Sequence, residues 1–418
     1  MTKGRTLLAL LLPLFALATA CSPSGKQADE KIVDIAGIVS PKDGKNEFVG
    51  GIARIQEDGW LDAELAKKGW NARWVPVPAS VGGPVVNEGF AARTIDMANY
   101  GDLPSVIAMA GGVDLRLVVP SRSSTNIYLA VGKDSTARTL RDLKGKRIAL
   151  HRGRPWEAGF ARYVQSQGLK LDDFKIINVN AVAGQAALTS GKVDAIVLIQ
   201  AEAYVLQDKG LARILWSTAN APESWKMVAG TFARKEFLDA HPDIVQTVVT
   251  AFVRQAYWSS QEKNRDTVLS WGTLGGTPLA AVVKDTDNNP LPWRQRFSPL
   301  PSPAIQEHFD FVSDYAFRTG LTRKKVDVSK LIDRRYVDQA TKDLKLEGWW
   351  TDPKNCPPPQ SQKSKARRDP YRAGPCCFHL GGGTIPPPPA AEPPDGPATA
   401  ALPRPPGRLP PDAAWRPE

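Results

Sequence analysis

Two arginines flank a glycine in the stretch His151-Arg152-Gly153-Arg154-Pro155-Trp156, just ahead of an amphipathic segment. A guanidinium offers planar, forked donors to a sulfonate or carboxylate. A helix starting there would add free N–H groups and a positive dipole end, a second attraction for an anion. Two further stretches are similarly equipped. Ser80-Val81-Gly82-Gly83-Pro84 supplies a hydroxyl and close backbone approach at Gly82 and Gly83, and Tyr100-Gly101-Asp102-Leu103-Pro104 follows an apolar run. Taken singly, each is a tight turn. Taken together, all lie where an apolar run ends and a helix begins, and in open α/β sheets ligands bind at those strand ends. Trp156 and Tyr204 could cover an apolar or cationic part of a ligand or fill a core. Glu202 could meet an amine or neutralise an arginine.

Covalent chemistry finds little support. No cysteine occurs between Ser22 and Asn355, which removes thiolate catalysis and cysteine-held metal from that span. The four histidines, His151, His241, His308 and His379, are scattered without metal-ligand spacing. There is no GxSxG, P-loop or GxGxxG pattern. The expectation is a site that binds and does not react, with no cofactor and no metal.

The elements that must position these loops alternate between short apolar runs and amphipathic stretches, the pattern of strands with crossover helices. Strands are expected at Ile32–Ile38, Ala72–Val77, Ile95–Ala98, Leu115–Val119, Ile127–Val131, Arg147–Leu150, Lys175–Asn178 and Val193–Leu198. Helices are expected over Phe48–Lys68, from Pro84 through Ala92, to about Ala110, and over Glu157–Gln167, Ala183–Ser190, Phe237–Asn264 and Ala304–Thr319. Pro76 and Pro78 suggest an edge strand. One internal echo stands out: Phe90-Ala91-Ala92-Arg93-Thr94-Ile95-Asp96 and Leu188-Thr189-Ser190-Gly191-Lys192-Val193-Asp194 follow one plan, a helix end, then an apolar residue and an aspartate opening a strand. Two similar halves imply two facing α/β lobes.

The ends read differently. Lys3 and Arg5 precede the apolar run Leu7–Ala16 and the small residues Ala18-Thr19-Ala20, a secretory signal, and the next residue is Cys21. That junction is similar to a bacterial lipobox, which would make Cys21 a lipidated first residue; ordinary cleavage and a soluble product is the alternative. Ser22–Glu30 reads as a polar tether. Half of the 36 prolines follow Asn355, so that segment is expected to be disordered, with polyproline character; a shifted reading frame in a GC-rich gene would write the same text. Of the net charge of +11, the leader and tail carry +2 and +3, leaving a scattered +6 for residues 21–355 and no basic stripe of the kind nucleic acid needs.

Several stretches together resemble a known family. Val75-Pro76-Val77-Pro78 with Gly82–Glu88, Thr94–Met97, Gly101–Pro104, Leu140–Ala149 and Ala186–Ala195 look like the periplasmic solute-binding components of nitrate, taurine and aliphatic sulfonate ABC importers. The resemblance implies a type II periplasmic binding fold, two α/β lobes with mixed sheets joined by a two-crossover hinge. It implies a signal peptide at 1–20, a tether at 21–30, a first lobe from 31–120 and 223–350, a second from 121–222, and a tail from 351. Carried over by position, the ligand residues would be Ser80, Gly82, Gly83, Tyr100, Gly101, Asp102, Arg152, Arg154, Trp156, Gln200, Glu202 and Tyr204. The implied partners are a small anionic solute and an inner-membrane permease, with the protein a periplasmic or surface-exposed monomer touching the membrane only through its lipid anchor. Two departures bear on the solute: Gln200–Tyr204 stands where many relatives carry an aromatic–aspartate–proline loop, and the 151–156 loop is unusually rich in arginine. A thiamine pyrimidine precursor, nitrate and bicarbonate remain alternatives. So does an enzyme on the same fold, a desulfinase or a thiamine-pyrimidine synthase.

Overall fold

A computed structural model describes residues 31–42, 45–274 and 276–351. The signal, Cys21, the tether and the proline-rich tail therefore lie outside the described residues. The chain opens with β1 (Lys31–Lys42) and the short β2 (Lys45–Phe48). The expected helix over Phe48–Lys68 is instead two helices, α1 (Gly50–Asp58) and α2 (Trp60–Ala66), parted at Gly59 where the backbone turns left-handed. Then come β3 (Trp70–Pro78), α3 (Gly83–Ala91), β4 (Met97–Gly101), α4 (Asp102–Ala110) and β5 (Leu115–Thr125). A second round follows: β6 (Ile127–Gly132), β7 (Arg147–Ala149), α5 (Pro155–Ser166), β8 (Lys175–Ile177), α6 (Ala181–Thr189), β9 (Ala195–Ile199), α7 (Glu202–Asp208) and β10 (Ala212–Ser217). The chain then returns through β11 (Met227–Arg234), α8 (Lys235–Ala240), α9 (Pro242–Ser259), α10 (Arg265–Trp271), α11 (Leu279–Asp287), α12 (Trp293–Arg296), α13 (Pro303–Arg318) and α14 (Arg335–Asp343).

These strands form two sheets. The first runs β2-β1-β4-β11-β5, with β3 parallel to β1 at one side; the second runs β10-β6-β9-β7-β8. Both are mixed. In the first, β4 is parallel to β1 while β11 runs antiparallel to both β4 and β5; in the second, β7 is parallel to β8 and β9 while β6 runs antiparallel to β9 and β10. Two lobes with mixed sheets are thus present as expected. The chain leaves the first sheet between β5 and β6 and re-enters it between β10 and β11. A third passage follows, because α10 and α11 pack on α7 of the second lobe through Ala201, Leu269, Ala281 and Val282. Among the described residues strand β3 pairs only with β1, in keeping with its prolines.

The two halves repeat in detail. Asp96 accepts the main-chain N–H of Asp34 on β1 at 3.0 Å and an Arg234 guanidinium N–H at 2.5 Å. Asp194 accepts the main-chain N–H of Arg147 on β7 at 2.8 Å and the Nε–H of the same arginine at 3.1 Å. Each aspartate therefore caps the neighbouring parallel strand and sets its register. The turn before each is also shared, with Arg93 at φ 61° where Gly191 stands at φ 70°. A side chain in that region costs about 1–2 kcal/mol. Gly191→Arg should therefore lower unfolding stability by roughly that amount in urea titrations, whereas Arg93→Gly should not destabilise.

Candidate functional site

Arg154 precedes Pro155, the first residue of α5, with extended backbone, so its side chain leaves the helix start sideways. It reaches the other lobe. Nη1 donates to the Val81 carbonyl at 3.1 Å, and Nη2 to those of Ala79 at 3.2 Å and Ser80 at 2.9 Å; Nε lies 3.4 Å from His151 Nδ1. A guanidinium carries five N–H donors, so one on Nη1 is left over. The residue is only 7% exposed, and among the described residues no carboxylate pairs with it. Burial accordingly pulls its pKa down, and burial plus the Arg154 charge does the same to His151. Trp156 lies alongside, its ring 5.8 Å from the guanidinium carbon.

The facing loop is built for this approach. Gly82, the residue before α3, has φ 54° and ψ −126°, a conformation that only glycine adopts readily. A Cβ there would collide with Arg154 Nη1. Gly101 at the end of β4 abuts Pro155 of α5 in the same way, without room for a methyl group. Neither α3 nor α5 has a side chain capping its first turn; Pro84 and Pro155 bring no N–H, and the Glu157 N–H is given to the Arg154 carbonyl at 3.0 Å, which leaves the Trp156 N–H at the start of α5.

The other expected residues divide. Arg152 sits two positions before Arg154, and its Nε donates to the buried Glu157 at 2.6 Å, so its charge is neutralised by that carboxylate. Glu202 joins His151, Trp156 and Asn180 around a cavity of about 40 Å³ at the ends of β7 and β9. Its carboxylate takes the Ile199 N–H at 3.4 Å, and burial raises its pKa. Gln200 is exposed at φ 50°, Ser80 is exposed, and Gly83 packs on Pro104. Tyr100 lies in the core between Phe90 and Phe232. Tyr204 meets Tyr128 edge-on, beside Asp285 of α11, which accepts from the Tyr128 hydroxyl at 2.5 Å. Asp102 is fully buried, and its oxygens accept from Leu103 N at 2.5 Å and Val228 N at 2.9 Å. The structure therefore brings together the loops at 79–83, 101 and 151–156. It turns the side chains of Tyr100 and Asp102 into the first lobe. His151, although part of the arginine loop, was not among the expected ligand residues, nor were Asn180 and Glu157; Asn180 carried a legible signal, an asparagine capping the start of α6 by accepting from Ala183 N.

Two lobes whose strand ends and uncapped helix starts face each other define a periplasmic-binding-protein fold of type II. The comparisons agree. Residues 82–262 match the family described as NMT1/THI5 like. A solved structure from Methylobacillus flagellatus KT, assigned as the periplasmic sulfonate-binding protein SsuA of a sulfonate ABC transporter, is 42% identical over 77% of this chain and 97% of its own, with a TM-score of 0.71. A Bacillus subtilis (strain 168) protein assigned as aliphatic sulfonates-binding is 25% identical over 82% of this chain and 98% of its own. The desulfurization enzyme DSZB shares the fold at 16% identity, 75% and 99% coverage and a TM-score of 0.54. The chain belongs to the solute-binding proteins of the nitrate, taurine and aliphatic sulfonate importers.

Two outcomes are expected. Gly101→Ala, by crowding Pro155, should bias the lobes apart, read as a larger radius of gyration in small-angle scattering. For Glu202, the raised folded pKa means its contribution to stability is full in acid and is lost as pH rises through that value. Glu202→Gln should therefore be more stable than the parent at pH 8, with the difference closing towards about pH 4 in unfolding titrations.

Proposed function

We propose that the protein is the substrate-binding component of an ABC importer, capturing a small anion of the aliphatic sulfonate type between its lobes and delivering it to a membrane permease. The observation that carries this reading is Arg154, a buried guanidinium at an uncapped helix start with no carboxylate beside it among the described residues. Main-chain carbonyls satisfy its hydrogen bonds but do not cancel its charge, and an unpaired buried charge is costly. An anion at that point would bring the missing charge, use the remaining Nη1–H and meet the positive dipole ends of α3 and α5. Since the same groups come from both lobes, the anion favours the closed arrangement. The relatives assigned as sulfonate-binding point to the same chemistry.

Binding without turnover fits the residues better than catalysis. A desulfinase would need a nucleophile of thiolate type, and residues 22–355 contain no cysteine. The periplasm is the compartment this reading requires, and anchoring through Cys21 is part of the same proposal. Cys21→Ser should move the protein from the membrane fraction to the soluble fraction of fractionated cells.

A thermal-shift panel of ethanesulfonate, taurine, nitrate and a hydroxymethylpyrimidine tests the solute. A true ligand at 100 times its dissociation constant stabilises by about 2.7 kcal/mol. Arg154→Ala should weaken sulfonate binding by about 1.5–3 kcal/mol, the range for a hydrogen bond to a charged group. An unaltered sulfonate affinity in that variant, or a response to the pyrimidine alone, would overturn the reading.

A further inference from the structure

Helix α13 touches both solute loops. His308, 1% exposed, places Nε2 2.7 Å from Asp102 Oδ2 and Nδ1 2.9 Å from the Ser224 carbonyl. Asp102 opens α4 directly after Gly101, the residue pressed against Pro155. Seven residues later, two turns along the same face, the Tyr315 hydroxyl donates to Glu157 Oε1 at 2.7 Å. Glu157 is fully buried in the first turn of α5. It also accepts from Arg152 Nε at 2.6 Å and, through Oε2, from the main-chain N–H of Gly153 at 2.6 Å. Beside the first contact, Arg162 of α5 reaches Glu307, the residue before His308, at 3.1 Å and the Ser224 hydroxyl oxygen at 2.9 Å.

We propose that α13 is a positioning bar for the solute site: through His308 it fixes the loop of the first lobe, and through Tyr315 the arginine loop of the second. The inference rests on the solute-binding reading above and assigns its regulation to a helix outside the cleft. The chemistry of the second contact makes the selection between the two arginines. With Tyr315 holding it, Glu157 takes up Arg152 and pins Gly153. The backbone is then fixed on one side of Arg154, which leaves that side chain as the charge aimed across the lobes. Tyr315 and His308 act through other groups and touch no solute.

Tyr315→Phe removes one hydroxyl and keeps the ring, and His308→Gln keeps a donor towards Asp102, so both variants should fold. In calorimetry with ethanesulfonate on the full mature chain, Tyr315→Phe should weaken binding about tenfold, as loss of one hydrogen bond to a charged group would. Hydrogen exchange should show the Gly153 amide losing protection while amides of β4 and β11 keep theirs. Placed on Arg154→Ala, Tyr315→Phe should have no further effect on affinity, because the group it positions is gone. The proposal is overturned if Gly153 keeps its protection, or if the tenfold loss persists without Arg154. If the parent takes up no sulfonate, it is the functional reading that falls, and the exchange of Gly153 still decides whether Tyr315 holds the loop.

Discussion

Arg154 brings a full positive charge into contact with the opposite lobe, where only the carbonyl oxygens of Ala79, Ser80 and Val81 receive it. Those carbonyls are dipoles. They answer the geometry of the guanidinium and leave its net charge in a medium of low polarisability, a state that is tolerable when an anion completes it and expensive otherwise. Much of the surrounding structure serves to make this one approach feasible. Gly82 and Gly101 supply the two places where a methyl group would obstruct it. The uncapped first turns of α3 and α5 add partial charges of the same sign.

The same charge explains how the neighbours are treated. Arg152 is matched by the buried Glu157, and Glu157 is matched in turn by Tyr315 and Gly153. His151 is held towards its neutral form by burial and by Arg154. One unmatched cation in a shell of matched groups has a defined place to attract an anion. A second unmatched cation would blur it, and a free carboxylate would cancel it. At the edge of the cleft, burial raises the pKa of Glu202 and so disfavours a negative charge there.

The strand and helix plan was legible because both halves are written in one code. The aspartates at 96 and 194 serve as register clamps, and the sequence echo around them marked equivalent turns before any contact was known. Strands β10 and β11 were missed. Strand β11 in particular runs through Ala229-Gly230-Thr231, weak strand text made central by pairing with β4 and β5 on either side. At the site, residue type and loop position singled out Arg154, Gly82 and Gly101 as candidates without giving the direction of any side chain. Asp102 had the right chemistry for a ligand group and turns inward to His308, a partner 206 residues away. Arg152 and Arg154 look equivalent in the text; only Glu157 and Tyr315 separate them, and that contact spans 158 residues. Long-range partners decide which way a polar side chain faces, and a single sequence does not display them.

Closure in such a protein is a small difference between larger contacts, so the precision of the loops matters more than the area they bury. Here the precision has a material origin. The loop of the first lobe and the loop of the second do not depend on their own lobes alone; both are tied to α13, on which His308 and Tyr315 stand two turns apart. The passage of α10 and α11 over α7 ties the back of the Gln200–Tyr204 loop to the C-terminal region as well. A hinge of two crossovers would leave the lobes free to meet in many registers. Links from helices that follow both crossovers narrow those registers, so that a charge two residues from a neutralised twin reaches the same three carbonyls each time the lobes meet.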